Sequence, residues 1–346
     1  KFNLLKTYFN RMQTEKTVGT HSGSFHMDEV LGCVMLTKYT QEFKDAKIVR
    51  SRDEQLLNTF DIVIDVGRVY DAERYRFDHH QKEFTGTFND KYTIKLSSAG
   101  LVYKHFGQEI VRTIAEQLLA KYEQDLILDE ENLALVYQRL YDNFILSVDA
   151  IDNGENQYPN DVQPKYKVKT DLGSRIGRLN PASYEKNVTF DERFFEAMKI
   201  ADEELIYQVR EIVLGWLTAR VQVEAAFNAR HQVHESGEII LFERPCAWKD
   251  PIFEIEKKYN AAGQVKFVLF KDTSGGEGWR VQAVPTQAGG FTNRKSLRKD
   301  WCGVSRDEAA KNSGLDDIVF CHANGFIGGA RSYESALKMA VLSIQA

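Results

Sequence analysis

The segment Asp61-Ile62-Val63-Ile64-Asp65-Val66-Gly67 places three consecutive β-branched apolar residues between two acids. An apolar run this short and uniform reads as a strand buried on both faces, the environment of a parallel sheet covered by helices. Thr17-Val18-Gly19-Thr20, Lys47-Ile48-Val49-Arg50 and Tyr75-Arg76-Phe77-Asp78 are further short strands. Between the first two, Asp28 to Thr40 has helical periodicity through Val30, Leu31, Val34, Met35 and Leu36. Strands alternating with helical stretches predict a doubly wound α/β domain.

Helices follow. Ser97-Ser98 caps one that runs through Tyr103 and Phe106, Gln108 to Tyr122 makes another, and Asp129 to Ile151 is a long amphipathic stretch. Residues 153–189 are rich in Asn, Pro, Asp, Gly and Lys and read as a loop region. A second long helical region runs from Asp191 to about His234, with a bend expected at Gly215. In the last third, Ile239–Phe242, Lys266–Phe270 and Trp279–Val284 read as strands of a mainly antiparallel sheet, closed by a helix from Ser332. The predicted architecture is α/β. An N-terminal, mostly parallel-sheet domain (17–190) is followed by a helical linker (191–235) and a smaller C-terminal α+β domain (236–346). Residues 1–16 form an N-terminal extension. That extension carries Lys1, Lys6 and Arg11, no acid before Glu15, and Phe2, Leu4, Leu5, Tyr8 and Phe9 near helical spacing. It reads either as part of a mitochondrial targeting segment or as a plain extension.

Composition narrows the function classes. The net charge is −5, so a protein that wraps duplex nucleic acid on a broad basic face is excluded, while a cleft taking one strand end is not. The four cysteines, Cys33, Cys246, Cys302 and Cys321, form no CxxC pair, which fits reduced thiols and excludes a thiolate zinc site. No apolar run reaches the length of a membrane span, so no membrane partner is expected.

The chemistry-bearing residues fall at particular places. His21, His26 and Asp28 lie after the first strand, Asp65 ends the third, and Asp78, His79 and His80 follow the fourth. Asp149 and Asp152 end the long helix, before Asn153-Gly154. In open α/β sheets, sites form outside the carboxyl ends of the strands. Taken singly, each has a bland explanation: an Asp ending a strand caps a turn, and a His pair sits in solvent. Together they deliver imidazoles and carboxylates, without a thiolate, to one crevice, which suits Mn²⁺, Mg²⁺ or Zn²⁺ as one ion or as a two-metal pair.

Thr20-His21-Ser22-Gly23-Ser24-Phe25-His26-Met27-Asp28-Glu29, Asp65-Val66-Gly67, Asp78-His79-His80-Gln81 and Asp149-Ala150-Ile151-Asp152-Asn153-Gly154 resemble the four motifs of the DHH phosphoesterase superfamily. Their form is similar to that of its eukaryotic MYG-type family, described as 3′-to-5′ RNA exonucleases of nucleus and mitochondrion. Arg175-Ile176-Gly177-Arg178-Leu179-Asn180-Pro181 and Gly325-Phe326-Ile327-Gly328-Gly329 extend the likeness, which spans residues 17 to about 344. The resemblance implies metal ligation by His21, His26, Asp28, Asp65, His79 and Asp152, with Asp149 next in line. Asp65 would bridge two ions, His80 would face the phosphate as donor or acid, and Asp78 would orient the His pair. Many superfamily members carry an aspartate where His26 stands, so the metal preference and the split of ligands between ions stay open.

The resemblance also implies a second domain that grips substrate. A Gly328-Gly329 turn would bring backbone N–H groups to a phosphate, with Arg331 adding charge, or it is a plain loop before the last helix. Arg294, Lys295, Arg298 and Lys299 form a basic cluster near Trp279, Phe291 and Trp301, either a base-stacking surface or a solvated face over buried aromatics. Arg175, Arg178 and Asn180 lie near the fourth motif, where the arginines either clamp the scissile phosphate or pair with surface acids. The implied activity is metal-dependent hydrolysis of single-stranded RNA from its 3′ end by metal-activated water, in nucleus (nucleolus) and mitochondrion, with the cytoplasm left open. Two rival readings are a hydrolase of short oligonucleotides, cyclic dinucleotides or pyrophosphate-type molecules, and a non-catalytic nucleic-acid-binding regulator. The sequence does not decide between monomer and homodimer.

Overall fold

The structure, a computed structural model, describes residues 15–273, 276 and 278–346. The targeting reading of residues 1–16 falls almost wholly outside the described residues. The chain is mixed α/β and divides into two compact units at Leu214/Gly215.

The first unit is built on a five-stranded sheet: β1 (Thr17–Thr20), β2 (Lys47–Arg50), β3 (Ile62–Ile64), β4 (Tyr70–Asp71) and β5 (Arg76–Phe77). Their order is β2-β1-β3-β5-β4. All pairs are parallel except the β4–β5 edge, where Tyr70 faces Phe77. The apolar run Ile62-Val63-Ile64 is buried throughout, as expected for a central strand. Helix α1 (Met27–Tyr39) is buried at all but one position, the signature of a helix covered all round. It packs on α2 (Ser98–Lys121) and on α6 (Phe190–Arg210). The two helices expected over 97–122 are one: Gly107 continues α2, because its missing side chain leaves room for Tyr137.

The stretch 129–152 forms α3 (Glu130–Leu140), a π turn at Tyr141–Ile145 and α4 (Leu146–Asp152). A short α5 (Leu172–Gly177) lies within the expected loop region. Helix α6 starts at a capping box in which Thr189 and Glu192 satisfy each other's end groups. The bend expected at Gly215 is a second π turn, Glu211–Leu217, and the division between the units falls inside it.

The second unit opens with α7 (Thr218–Asn228) and holds another five-stranded sheet. Its strands are β6 (Ile239–Phe242), β7 (Phe267–Lys271), β8 (Trp279–Ala283), β9 (Ile318–Cys321) and β10 (Ile327–Ala330), in the order β6-β7-β8-β10-β9. β6 pairs with β7 in parallel and the remaining pairs are antiparallel. Alternation along β7 separates two cores. Phe267 and Leu269 join Trp301 and Met339 on one face, while Val268 joins Phe227 and Ile252 on the other. Helices α8 (Pro251–Lys258) and α10 (Tyr333–Gln345) supply those faces, and α9 (Arg306–Ser313) packs on β9. Among the described residues, no helix is long and apolar enough to cross a membrane.

Candidate metal centre

The first strand ends at Thr20, and the loop from His21 to His26 leads into α1. This loop is tied at several points. Arg50 donates to the Gly23 carbonyl (2.6 Å), Arg52 Nε to the Ser22 carbonyl (3.1 Å), and Asn180 clamps Phe25 by accepting from its N–H and donating to its C=O, both at 2.9 Å. Glu29, in the first turn of α1, accepts from the His26 N–H at 2.9 Å and lies 3.0 Å from His21 Nε2. His21 is thereby fixed against the end of β3, where Asp65 Oδ2 stands 3.3 Å from Nε2.

Asp65 leaves β3 in the left-handed region, φ 57°, a conformation that aspartate tolerates better than most side chains. Its Oδ1 accepts from Ser98 Oγ at 3.1 Å and lies 3.5 Å from both His79 Nε2 and His80 Nδ1. His79 Nε2 is also 3.0 Å from Asp152 Oδ2. Asp78 holds the loop rather than joining the centre. Oδ1 accepts from the His80 N–H (2.9 Å) and lies 2.8 Å from its Nδ1, and Oδ2 accepts from the Arg68 N–H (2.6 Å).

Three overlapping groups result: His21, His26, Glu29 and Asp65; Asp65, His79 and His80; and His26, Asp28 and Asp152. Within each, one donor atom per residue lies within 4.8 Å of the others. Asp65 and His26 each belong to two groups. Asp28 is fully buried, and neither of its carboxylate oxygens has a hydrogen-bond partner. A buried carboxylate without a donor is costly unless a cation meets it. Burial first, then Asp65, Asp152 and Glu29, push its pKa well above the ordinary value. Burial alone would lower His21 and His79, but the carboxylates bonded to each outweigh it and lift both to about 9. Burial likewise works against the Asp65 charge, yet His21 and His79 hold its pKa well below the usual carboxylate range. Imidazolium protons therefore offset the carboxylates here, the balance a divalent ion replaces. The donor set fits such an ion.

Two cavities flank the centre. One, of about 690 Å³, is bordered by His21, Asp65 and His80 and reaches Arg52, Arg68 and Lys82; the other, of about 300 Å³, lies beside Asp28, Asp152 and Ile151. His80 borders both and is half-exposed, and the adjacent Asp78 carboxylate raises its pKa.

Several expected site residues stand elsewhere. Asp149 does not reach the cluster: Oδ1 accepts from Ser97 N–H (2.9 Å) and Ser97 Oγ (2.7 Å), and Oδ2 accepts from the Tyr141 hydroxyl (2.9 Å). Gly100 permits this approach, since a Cβ there would lie 2.1 Å from Asp149 Oδ1. Asn180 positions Phe25, as described, and borders neither cavity. Arg175 lies 3.7 Å from Glu204, Arg178 donates to the Lys169 carbonyl at 2.6 Å, and neither borders the two cavities.

In the second unit, Arg294 is not a surface cation. Its guanidinium is buried against Glu256 (2.7 Å) and donates to the Val265 and Pro285 carbonyls. Gly328-Gly329 is not a turn either. Both lie in β10, which pairs on both sides, and a Cβ at Gly328 would come 2.9 Å from Leu297 and 2.7 Å from Met339. Arg331 is exposed just beyond that strand, its N–H donating to the Asp317 carbonyl. Trp301 is fully buried and Trp279 packs on Tyr333, which leaves Phe291, 99% exposed, as the open aromatic of that group. Glu29 was not among the expected site residues. Its spacing from His26 is that of a capping box, and the sequence signal was absorbed by that role.

Imidazoles and carboxylates gathered beyond the carboxyl ends of a mostly parallel sheet form a donor set for a divalent ion, the kind of centre a metal-dependent phosphoesterase uses. The family model MYG1_exonuc, described as Uncharacterised protein family (UPF0160), matches residues 17–344, and the chain belongs to this MYG1 exonuclease family. "MYG1 protein" of Dictyostelium discoideum is 41% identical over 96% of this chain and 97% of that one. "MYG1 exonuclease" of Homo sapiens is 39% identical over 96% and 86%. A solved structure of RecJ in complex with Mn²⁺ from Thermus thermophilus is 14% identical over 99% of this chain and 54% of that one, with a TM-score of 0.25, too slight a likeness to bear on fold or metal.

Proposed function

We propose that the chain is a metal-dependent 3′-to-5′ exonuclease acting on single-stranded RNA. The observation that carries the hydrolytic reading is the buried Asp28 carboxylate without a partner, inside a set of imidazoles and carboxylates shared around Asp65 and His26. His21, His26, Asp28, Asp65, His79 and Asp152 would hold the ion, with Glu29 as a further donor. A mixed imidazole–carboxylate set suits Mn²⁺, with Mg²⁺ and Zn²⁺ as the competing ions. When bound, such an ion supplies Lewis acidity and an activated water.

The chain's own residues do the rest. Asp78 fixes the His80 ring through Nδ1, so its other nitrogen is the one free to donate to a phosphate oxygen or to a departing 3′ oxygen. Glu29, Arg50, Arg52 and Asn180 hold the His21–His26 loop in place before substrate arrives. The exonuclease reading follows relatives that carry that name; the RNA preference and the 3′-to-5′ polarity are what the motif resemblance to the MYG-type family implies.

The test is digestion of 5′- and 3′-labelled RNA and DNA of several lengths by protein reconstituted with Mn²⁺. Stepwise shortening of long RNA from the 3′ end is the expected result. Products released from the 5′ end, or activity confined to two- to five-mers, would overturn the polarity or the length class. Asp65→Ala is expected to abolish turnover with the folded circular-dichroism spectrum retained.

A further inference from the structure

The larger cavity extends well beyond the donor cluster, and its far rim is cationic. Arg68 comes from the loop after β3 and Lys82 from the loop after β5, so two separate segments bring positive charge to the same opening. The placement of Arg68 is built in. Gly67 (φ 99°) and Arg68 (φ 55°) are consecutive left-handed residues, and the Arg68 N–H is anchored on the Asp78 carboxylate at 2.6 Å. A non-glycine residue held in that region is unfavourable by about 1 kcal/mol, so the anchor fixes a turn the chain would otherwise avoid. Arg68 and Lys82 are both exposed, and among the described residues neither side chain has an ion-pair partner. Gln81, between the His pair and Lys82, has both amide atoms buried without a hydrogen-bond partner beside this opening. Arg52 is different: its guanidinium is committed to the Ser22 carbonyl and to His21 Nδ1. Glu83 is the acid on this rim, apart from Asp78 and the cluster's own Asp65.

We propose that Arg68 and Lys82, with the Gln81 amide beneath them, form an anion subsite that takes the phosphate next to the scissile one on a nucleic-acid strand. The subsite rests on the phosphodiesterase reading above and adds a substrate requirement to it: a good substrate carries at least two phosphates. The charges are open to a ligand because, among the described residues, neither side chain is engaged in an ion pair, although Glu83 shares the rim. Arginine offers a planar fork to phosphate oxygens and lysine a mobile point charge, so the pair accepts a flexible backbone without reading its bases.

The test uses the full chain with Arg68→Ala and Lys82→Ala combined, since both side chains are exposed. One arm measures binding of a fluorescent single-stranded RNA to metal-free protein across a salt series. The variant is expected to bind about tenfold more weakly, with a salt slope shallower by about 1. The other arm, with Mn²⁺, compares kcat/KM for a dinucleotide bearing a 5′-phosphate with that for a p-nitrophenyl ester of a nucleoside monophosphate, which has one phosphate. The ratio of the two is expected to fall about tenfold. An unchanged affinity, slope and ratio would overturn the subsite while the phosphodiesterase reading stood. Weaker strand binding by the variant, with no turnover by the unmutated protein, would support the subsite and sink the phosphodiesterase reading.

Discussion

The Asp78 carboxylate and the His80 ring meet at 2.8 Å through Oδ1 and Nδ1, and the same oxygen accepts the His80 backbone N–H. One carboxylate therefore sets both the backbone turn and the ring orientation of the residue that faces the cavities. Asp78→Asn keeps the shape and removes the charge. Activity at saturating Mn²⁺ is expected to fall about 10–100-fold with bound metal retained. Elemental analysis alongside the rate decides the matter, because metal lost at saturation would make Asp78 a ligand.

Asp149 gives the metal-free protein a pH dependence of its own. Burial, its largest influence, outweighs the donors from Ser97 and Tyr141 and raises its pKa to about 7, with the Asp152 charge adding to the rise. The folded state thus holds a proton that the unfolded chain releases near pH 4. This contribution to stability is full below that point, declines as pH rises to about 7 and then levels off. The whole span is worth up to about 4 kcal/mol. Melting in chelator from pH 5 to 7.5 should show a shallower decline for Asp149→Asn than for the unmutated protein. Parallel slopes would place the titration elsewhere.

Arg294 and Glu256 make a buried pair, with side chains 7% and 1% exposed. Arg294→Ala leaves the Glu256 carboxylate, among the described residues, with the N–H groups of Gly263 and Val265 alone. A loss of about 3–5 kcal/mol in urea unfolding is expected. Arg294→Met with Glu256→Leu should recover much of it, since no charge then remains to be buried. Equal losses in the single and double variants would show that packing, not the orphaned carboxylate, sets the effect.

Cys302 and Cys321 bring their Sγ atoms to 3.3 Å. Burial pushes the Cys321 thiol well above its ordinary pKa, and the half-buried Cys302 is the more accessible of the two. With excess oxidised glutathione, Cys302 thiolate forms a mixed disulfide and releases one glutathione. Cys321 then displaces the second, giving one protein disulfide and two reduced glutathiones. Thiol titration should show two groups lost, and none lost as an internal pair in Cys302→Ser. Retention of all four thiols in the unmutated protein would show that the pair does not close.

The parts of this molecule that could be read from sequence are those where side-chain pattern and backbone agree. Ile62–Ile64 and the helix beginning at Met27 are legible because the apolar run of the one and the helical spacing of the other show directly in the residues that are buried. The glycines of β10 mislead for the opposite reason. Gly328-Gly329 looks like a turn, yet it is a strand in which only hydrogen can stand against Leu297 and Met339. Asp149 and Asp152 share a helix end, and their spacing does not say which leaves the core. That choice is made by Ser97 and Tyr141, which claim Asp149 from elsewhere in the fold. Arg294 reads as part of a basic cluster because its partner, Glu256, is distant in sequence.

The π turn at Tyr141–Ile145 carries one residue more than an α-helical path would need. Each residue advances a helix by about 100°, so that surplus sets the angular phase of everything after it. The apolar stripe of α3 and the acids of α4 are thus indexed separately, although composition and hydropathy would pass smoothly through the join. Shortening the turn by one residue would leave a regular helix with an intact core-facing stripe before it and both aspartates rotated away from Ser97 and His79. An error of length at this point, unlike an error of residue type, would thus reach the core and the centre together, turning Val148 out of its packing as it draws Asp152 from His79.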